Sequence, residues 1–205
     1  MPRVSAEHLA ARRQQIFDAA RRRFARDGFH ATSMQQVIAE AGLSVGAVYR
    51  YFPSKSDLIV AIAQQMADGI AAQLTVIAGD PDRSLADVME AAAGVVEANT
   101  GPDGVLPLVV QVWAEAQRDP ALNAMVAHIY GELVTVYEGI AAHAIARGEL
   151  PADADAAAVG PALAALLVGY GILRLMTGKV DLTSYRAGLR AILDSPATGD
   201  RTLES

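Results

Sequence analysis

The strongest limit on the fold comes from a short turn between two brief amphipathic segments. The turn reads AGLS at residues 41–44, and it follows a segment, residues 34–41, whose apolar residues recur at helical spacing. Gly42 ends that segment, and Ser44 stands where it would cap a second short helix. Pro53 then ends the second helix, because it disfavours helical geometry at the residue before it. Two short helices joined in this way form a helix-turn-helix.

The segments on both sides of this motif also have helical patterns. Apolar residues recur at helical spacing from Glu7 to Asp27, and Gly28 supplies a stop signal. Thr32 is predicted to cap the next helix, with Gln35 three residues later completing a capping box. The same spacing in residues 54–57 predicts the start of a fourth, longer helix.

The rest of the chain is also predicted to be helical. It shows neither strand alternation nor a fixed-period repeat, so we predict an all-α fold. We expect a helix-turn-helix domain at 1–56, a larger ligand-binding and dimerisation domain at 57–195 and a flexible tail at 196–205. Clusters of turn-forming residues should separate the helices at 79–84, 100–104, 118–120, 147–151 and 177–183.

Charge is distributed unevenly along the chain. The formal net charge is -6, which by itself argues against a nucleic-acid partner, because Lys and Arg drive binding to phosphates. Residues 1–56, however, hold nine basic and four acidic groups, whereas residues 57–205 hold eight and nineteen. A basic head on an acidic body is expected when one end of a protein faces a polyanion.

The second short helix carries small residues where it would enter a DNA groove. In a helix-turn-helix this helix lies in the major groove while the preceding one braces it. Small side chains permit close approach to base edges and thymine methyl groups, while Tyr and Arg reach phosphates or a guanine. Thr32 and Lys55 begin the neighbouring helices, where free backbone N–H groups favour phosphate. The outward positions of the second helix are Val45, Gly46, Ala47, Tyr49 and Arg50.

Residues 28–58 resemble the DNA-binding signature of the TetR/AcrR family of bacterial regulators. They read GFHATSMQQVIAEAGLSVGAVYRYFPSKSDL, which joins the AGLS turn, the YRYF segment and the Lys of PSKSDL in one register. The resemblance implies a homodimer that binds double-stranded palindromic operator DNA and a small-molecule effector. It also implies phosphate contacts by Thr32, Tyr49, Tyr51 and Lys55, and an operator-facing set that comprises Val45, Gly46, Ala47 and Arg50. Ser44 completes the predicted DNA-binding residues.

Two points of this resemblance stay open. Many members carry polar side chains at the positions of Val45 and Ala47, so readout by hydrogen bonds should be sparse here and readout by shape and methyl contacts greater. Tyr51 fits a position packed between helices as well as it fits a phosphate contact.

Residues 156–173 form an uncharged stretch of 18 residues, AAAVGPALAALLVGYGIL, which is long enough to consider a membrane helix. Alanine and glycine dominate it and Pro161 interrupts it, so we expect no membrane contact but a helix buried on two sides. With residues 182–193 it resembles the family's two dimerisation helices, which form a four-helix bundle with the partner. The predicted dimer interface comprises Ala158, Ala162, Ala165, Gly169, Leu189, Ile192 and Leu193.

The resemblance implies that the helices between residues 57 and 177 enclose a ligand cavity. Large apolar side chains with a polar tip suit a pocket that buries a small ligand, although the same side chains also fill ordinary cores. Few charges lie among them, which favours a largely hydrophobic effector. The predicted lining is Met66, Met89, Trp113, Tyr130, Tyr137 and Tyr170, with Gln111, Glu115, Asn99 and His143 as candidate polar anchors.

Catalysis has little support in the sequence. The chain has no cysteine, four histidines and none of the usual nucleophile, phosphate-loop or zinc motifs, so we predict no enzyme activity, cofactor or metal. The absence of cysteine and of a secretory signal fits a cytoplasmic protein. The expected function is a repressor released from DNA by its effector. The alternatives are a constitutive DNA-binding protein without effector, a transcriptional activator, and a small-molecule carrier or enzyme with a basic N-terminal segment.

Overall fold

A computed structural model of the chain describes residues 6–101 and 104–193, and it confirms the predicted all-helical class. The described residues form helices and connecting turns, without a strand among them. The helices are α1 (Ala6–Asp27), α2 (Met34–Ala41), α3 (Val45–Tyr51), α4 (Lys55–Ala78), α5 (Leu85–Ala98), α6 (Leu106–Ala116), α7 (Pro120–Ala146), α8 (Ala156–Thr177) and α9 (Leu182–Leu193).

The helix ends follow local signals in the sequence. Ser44 Oγ accepts a hydrogen bond from the amide of Ala47 at 3.3 Å and so caps α3. Ser54 Oγ accepts one from the amide of Asp57 at 3.1 Å at the start of α4. The carboxylate of Asp119 accepts bonds from the first turn of α7, which begins at a proline. Each predicted turn cluster begins within two residues of a helix end, so the sequence located the breaks between helices.

The described chain divides into two compact units. The first comprises the residues up to Ala71 with Asn99–Leu133, and the second comprises Ala72–Ala98 with the residues from Val134 onwards. These bounds differ from the predicted domains, because α4 and α7 each contribute to both units. The division into 1–56 and 57–195 stays a prediction, and the predicted tail at 196–205 lies outside the described residues.

An apolar core joins the helices of the first unit. The rings of Phe17 and Phe52 lie 5.3 Å apart, which connects α1 to the end of α3. Full burial of a large apolar side chain contributes about 1.5–3 kcal/mol. This burial, more than helix propensity, therefore holds the seven-residue α3 in place. Fully buried members of the core are Ile16, Phe24, Val37, Val48, Leu58 and Ile59.

In the second unit α5 packs against α8 and α9. The ring of Tyr170 on α8 stacks on that of Tyr185 on α9, with centroids 4.2 Å apart. Arg190 of α9 pairs with Asp87 and Glu90 of α5 at 2.9 and 2.7 Å. Stacking and ion pairing together fix α9 on its neighbours.

Helix α8 continues through Pro161, which corrects the expectation that this residue interrupts it. Pro161 lies in the second turn, so its missing N–H removes a single intrahelical bond. Gly160 allows a close approach to α7, because a Cβ there would lie 2.7 Å from the backbone nitrogen of Glu138. Among the described helices, α8 is the one long and apolar enough to cross a bilayer, and 33% of its most apolar stretch is buried within the chain.

Candidate nucleic-acid interface and ligand cavity

Ion pairs fix α1 against α2. Arg22 and Arg23 lie 3.2 and 3.1 Å from the carboxylate of Glu40, and Arg26 lies 3.7 Å from it. A hydrogen bond from Arg22 and the charges of the three arginines lower the pKa of Glu40 below its ordinary value. Part of the basic charge of α1 is therefore balanced by the acidic side chain of Glu40 in α2.

Ser33 caps α2, and not Thr32 as predicted. The capping box pairs Ser33 with Gln36 in both directions, one residue later than expected. Thr32 is 1% exposed, and its hydroxyl donates to the carbonyl oxygen of Gly28 at 2.8 Å. The amide of Thr32 donates to the carbonyl of Phe29 at 3.3 Å. The hydroxyl and the amide of Thr32 therefore both donate within the chain. A phosphate contact by Thr32 stays a prediction, and the burial of this residue does not favour it.

The residues predicted to face outward on α3 lie at its surface. Val45 is 59% exposed and Tyr49 is 39% exposed. Gly46 and Arg50 are exposed as well, and a Cβ at Gly46 would meet nothing within 4 Å. Ala47 is half-buried. The first turn of α3 therefore presents a small apolar surface, followed by a phenol and a guanidinium.

Tyr51 and Lys55 contact the interior of the first unit. Tyr51 is half-buried and packs against the apolar core. The ammonium of Lys55 lies 2.9 Å from the carbonyl oxygen of Phe29 and 3.1 Å from that of Thr32. Burial lowers the pKa of Lys55, and the charge of Glu115 acts in the opposite direction. Phosphate contacts by Tyr51 and Lys55 stay predictions.

Helices α4, α6 and α7 enclose an apolar cavity within the first unit. Its volume is about 80 Å³, below the roughly 300–1,000 Å³ of typical ligand pockets. Among the described residues that line it, polar side-chain atoms come from Trp113 and Tyr130, whose rings lie 5.8 Å apart. Burial raises the pKa of Tyr130 to about 12, and a hydrogen bond with Trp113 acts in the opposite direction. The cavity therefore suits an uncharged apolar ligand.

Half of the residues predicted to line a cavity do so, namely Met66, Trp113 and Tyr130. The other three are buried in the second unit instead, which corrects the prediction for Met89, Tyr137 and Tyr170. The hydroxyl of Tyr170 donates to the carboxylate of Glu97 at 2.6 Å, so its polar tip has a partner inside that unit. No group of three His, Asp or Glu residues in the described part of the chain is placed to hold a metal ion.

Most of the predicted dimer residues lie at the surface of the single chain. Ala158, Ala162 and Ala165 are exposed, Ile192 is 64% exposed, and Gly169 and Leu193 are half-buried. Leu189 is the exception and corrects the prediction, because it is 2% exposed and packs within its own unit. The exposed Leu173 and Met176 continue the three- and four-residue steps along α8.

Two α6 residues expected as polar anchors of the cavity contact a loop instead. The side-chain oxygen of Gln111 accepts a hydrogen bond from the amide of Phe29 at 2.7 Å. The carboxylate of Glu115 lies 3.2 Å from Nε2 of His30. No local pattern connects residues 82 positions apart, so sequence reasoning missed these contacts. The cap at Ser33 could have been found, because Gln36 stands at capping-box spacing from it.

Two family profiles match the chain. Residues 16–62 match the family described as "Bacterial regulatory proteins, tetR family", and residues 89–197 match "BetI-type transcriptional repressor, C-terminal". The chain is 30% identical to the HTH-type transcriptional regulator UidR of Escherichia coli K12 over 187 residues, which cover 88% of this chain and 90% of UidR. It is 42% identical to the HTH-type transcriptional repressor Rv1474c of Mycobacterium tuberculosis over 72 residues, 35% of this chain and 38% of that protein.

Solved structures have the same architecture. GusR of Salmonella enterica superposes with a TM-score of 0.74 at 26% identity, covering 94% of this chain and 100% of that one. A transcriptional regulator from Saccharomonospora viridis, solved in complex with choline, superposes with a TM-score of 0.71 and covers 91% and 97%. Because the two sequences are only 21% identical, this similarity shows that the chains share a fold and nothing more.

Proposed function

The chain belongs to the TetR family of bacterial transcriptional regulators, and from this premise we propose that it is a repressor that a small hydrophobic effector releases from its operator. Its relatives are transcriptional regulators and not enzymes. The observation that carries the proposal is the exposed outer face of α3 in the same compact unit as an apolar cavity. Such a regulator acts in the cytoplasm.

The outer face of α3 enters the major groove of the operator. Val45 and Ala47 approach the base edges, and Tyr49 and Arg50 reach phosphates or a guanine. Ser44 accepts from the Ala47 amide, so the hydroxyl hydrogen is its one side-chain donor for DNA. The polar readout is therefore sparse, and shape and methyl contacts carry more of the specificity.

A second copy of the chain covers the exposed apolar face of α8. The support is the run of exposed small and apolar positions that includes Ala158, Ala162 and Leu173. A homodimer places two α3 helices about one DNA turn apart, roughly 34 Å, and so selects a palindrome. We propose that a partner chain covers this face, and not a lipid bilayer, because the relatives of the chain are DNA-binding regulators.

The effector is an uncharged apolar molecule that binds between α4, α6 and α7. The absence of any charged side chain from the described cavity lining supports this choice. Choline, present in the Saccharomonospora viridis structure, is the charged alternative, because an aromatic pair such as Trp113 and Tyr130 attracts quaternary ammonium groups. We favour the neutral ligand, since no lining carboxylate balances a cation.

Release from DNA requires that the effector bind one conformation better than the other. A cavity of about 80 Å³ must widen to take a typical ligand, which moves the helices that line it. Helix α4 carries Lys55 at its start, beside the helix-turn-helix, and Met66 in the cavity wall. We therefore expect α4 to transmit a movement of the cavity wall to the DNA-binding helices. A typical coupling of about 1–3 kcal/mol would weaken DNA binding roughly 5- to 150-fold.

Selection of bound DNA from a random pool tests the proposal. We expect enrichment of a palindrome, bound at least about 10³-fold more tightly than scrambled DNA of the same length. A protein that binds all sequences alike would be an architectural DNA-binding protein. If the protein bound no DNA from the pool, the proposed function would be wrong.

The effector and the direction of regulation need separate tests. A panel of neutral apolar compounds and choline, titrated while Trp113 fluorescence is followed, tests the ligand class. We expect saturation by a neutral compound that also releases the selected DNA. Binding without release would indicate a constitutive DNA-binding protein, and a reporter gene activated by the bound protein would indicate an activator.

Replacement of Ala162 by Glu tests the dimer. A buried charge on the α8 face should yield monomers in analytical ultracentrifugation and abolish tight operator binding. The matched control is Ala152→Glu, an exposed position in the turn before α8. If the Ala162→Glu protein were still a dimer, α8 would not form the dimer interface.

A further inference from the structure

The connection between α1 and α2 is held by side chains from two later helices. We define residues 28–32 as the 28–32 loop. From α4, the ammonium of Lys55 donates to two of its carbonyls, at 2.9 Å to Phe29 and 3.1 Å to Thr32. From α6, Gln111 accepts from the amide of Phe29 at 2.7 Å. The loop thus receives long-range bonds on both its donor and its acceptor groups.

The ammonium of Lys55 is engaged within the chain on several sides. Besides the two carbonyls, it lies 4.2 Å from the centre of the Phe29 ring, within the range of a cation–π interaction. The carboxylate of Glu115 attracts it from α6. Two of the three N–H donors of the ammonium are used, and the side chain is half-buried.

We propose that Lys55 is a positioning residue for α2 and not a phosphate ligand. Lys55 fixes the 28–32 loop, and the loop determines where α2 begins at Ser33. The inference rests on the proposed binding to DNA, but it departs from the phosphate contact that the family resemblance implies for this lysine.

The two roles differ in one measurable quantity. A lysine that neutralises a phosphate releases counterions, so its removal lowers the slope of log affinity against log salt by about one. A lysine that positions α2 changes the affinity by the same factor at every salt concentration. The salt slope therefore separates the two roles even where the loss of affinity is equal.

The experiment compares Lys55→Met with the wild-type chain on the selected DNA, between about 50 and 200 mM salt. We expect binding several-fold weaker at each salt concentration, with the wild-type slope. A slope lower by about one would overturn the proposal in favour of a phosphate contact. Arg50→Gln, which removes a cation from the exposed face of α3, is the comparison that should lower the slope.

A second variant tests the same loop without changing charge. Gln111→Ala removes the acceptor of the Phe29 amide and should also weaken DNA binding at an unchanged slope. Unaltered affinity would contradict a role for the loop position. The stability control is Ile140→Val, which trims a buried side chain in the second unit and should leave affinity at its wild-type value.

Amide hydrogen exchange in the DNA-free protein gives a readout independent of the proposed function. In Lys55→Met the amide of Thr32, bonded to the Phe29 carbonyl, should exchange faster than in the wild type and in Ile140→Val. Unchanged exchange would refute the contact as a loop support. If the wild-type chain binds no DNA, the proposed function fails, while this comparison still decides whether Lys55 positions the loop.

Discussion

The helix-turn-helix and the cavity share one apolar core, but directed hydrogen bonds also fix the helix-turn-helix. Around the helix-turn-helix, directed bonds recur, such as those from Thr32 to Gly28 and from Gln15 to Ala41, the latter at 2.7 Å. Around the cavity, side chains meet through apolar surfaces. Among the described lining residues, only Trp113 and Tyr130 carry polar side-chain atoms. Hydrogen bonds fix direction as well as distance, whereas apolar contacts tolerate repacking. Under the proposed function, an effector would therefore act on the cavity, whose contacts can repack, and would displace the helix-turn-helix as one body.

Removal of a core ring should have the largest effect, because the directed bonds depend on the core beneath them. Phe24→Ala, at a fully buried position in α1, should cost about 3–5 kcal/mol of unfolding free energy. The matched pair is Ile16→Val, fully buried in α1, and Ile129→Val in the cavity wall. Each should cost about 0.5–1.5 kcal/mol, with the larger loss at Ile16. Urea unfolding measures all three variants. Equal losses in Ile16→Val and Ile129→Val would remove the distinction between a tightly packed core and a yielding cavity.

Loss of one directed bond should have the next largest effect. Thr32→Val keeps the shape of the side chain but leaves the Gly28 carbonyl without its hydroxyl donor, at a cost of about 1–3 kcal/mol. Operator affinity should fall as well, because Thr32 precedes the cap of α2. Thr183→Val, exposed at the start of α9, is the control and should stay within about 0.5 kcal/mol of the wild type. A stability loss no larger than that of the control would show that this bond does not hold the loop.

The same contrast explains what sequence reasoning could and could not predict. The helix-turn-helix rests on local signals, such as the cap at Ser44 and the breaks at Gly42 and Pro53, and these were confirmed. The one shift, from Thr32 to Ser33, arose because two adjacent residues offer the same capping chemistry. Local signals fix local structure, including which face of α3 is exposed.

The cavity depends on contacts between residues far apart in the chain. Tyr130 and Tyr137 lie on the same helix, yet one lines the cavity and the other is buried in the second unit. Aromatic residues at helical spacing fill either environment, so the pattern could not separate them. Leu189 was misassigned for a similar reason, since an apolar stripe on α9 does not reveal whether its own unit or a partner covers it.

Filling the cavity should separate ligand binding from stability. Ala63→Leu adds three carbons to the cavity wall and should raise stability by about 0.5–2 kcal/mol if the space accepts them. The variant should bind the selected DNA normally but lose its release by the effector. Ala72→Leu, exposed on the part of α4 in the second unit, is the matched control and should retain release. Normal release in Ala63→Leu would place the effector elsewhere.

Removal of single methyl groups from the operator should have the smallest effect, and it tests the DNA side of the comparison. If Val45 reads a thymine methyl group, deoxyuridine at that position should weaken binding by about 0.8 kcal/mol, roughly fourfold. In Val45→Ala the same base change should matter less, because the methyl group has lost its partner. Thymines outside the selected palindrome provide the control.

This last measurement depends on rigidity. A loosely held α3 could shift to recover the lost contact, and the effect would then spread over several positions. A rigid α3 cannot shift, so the loss should be confined to one position in each half-site. Equal small losses along the whole operator would show that the helix-turn-helix yields as the cavity does, and the contrast between the two regions would fail.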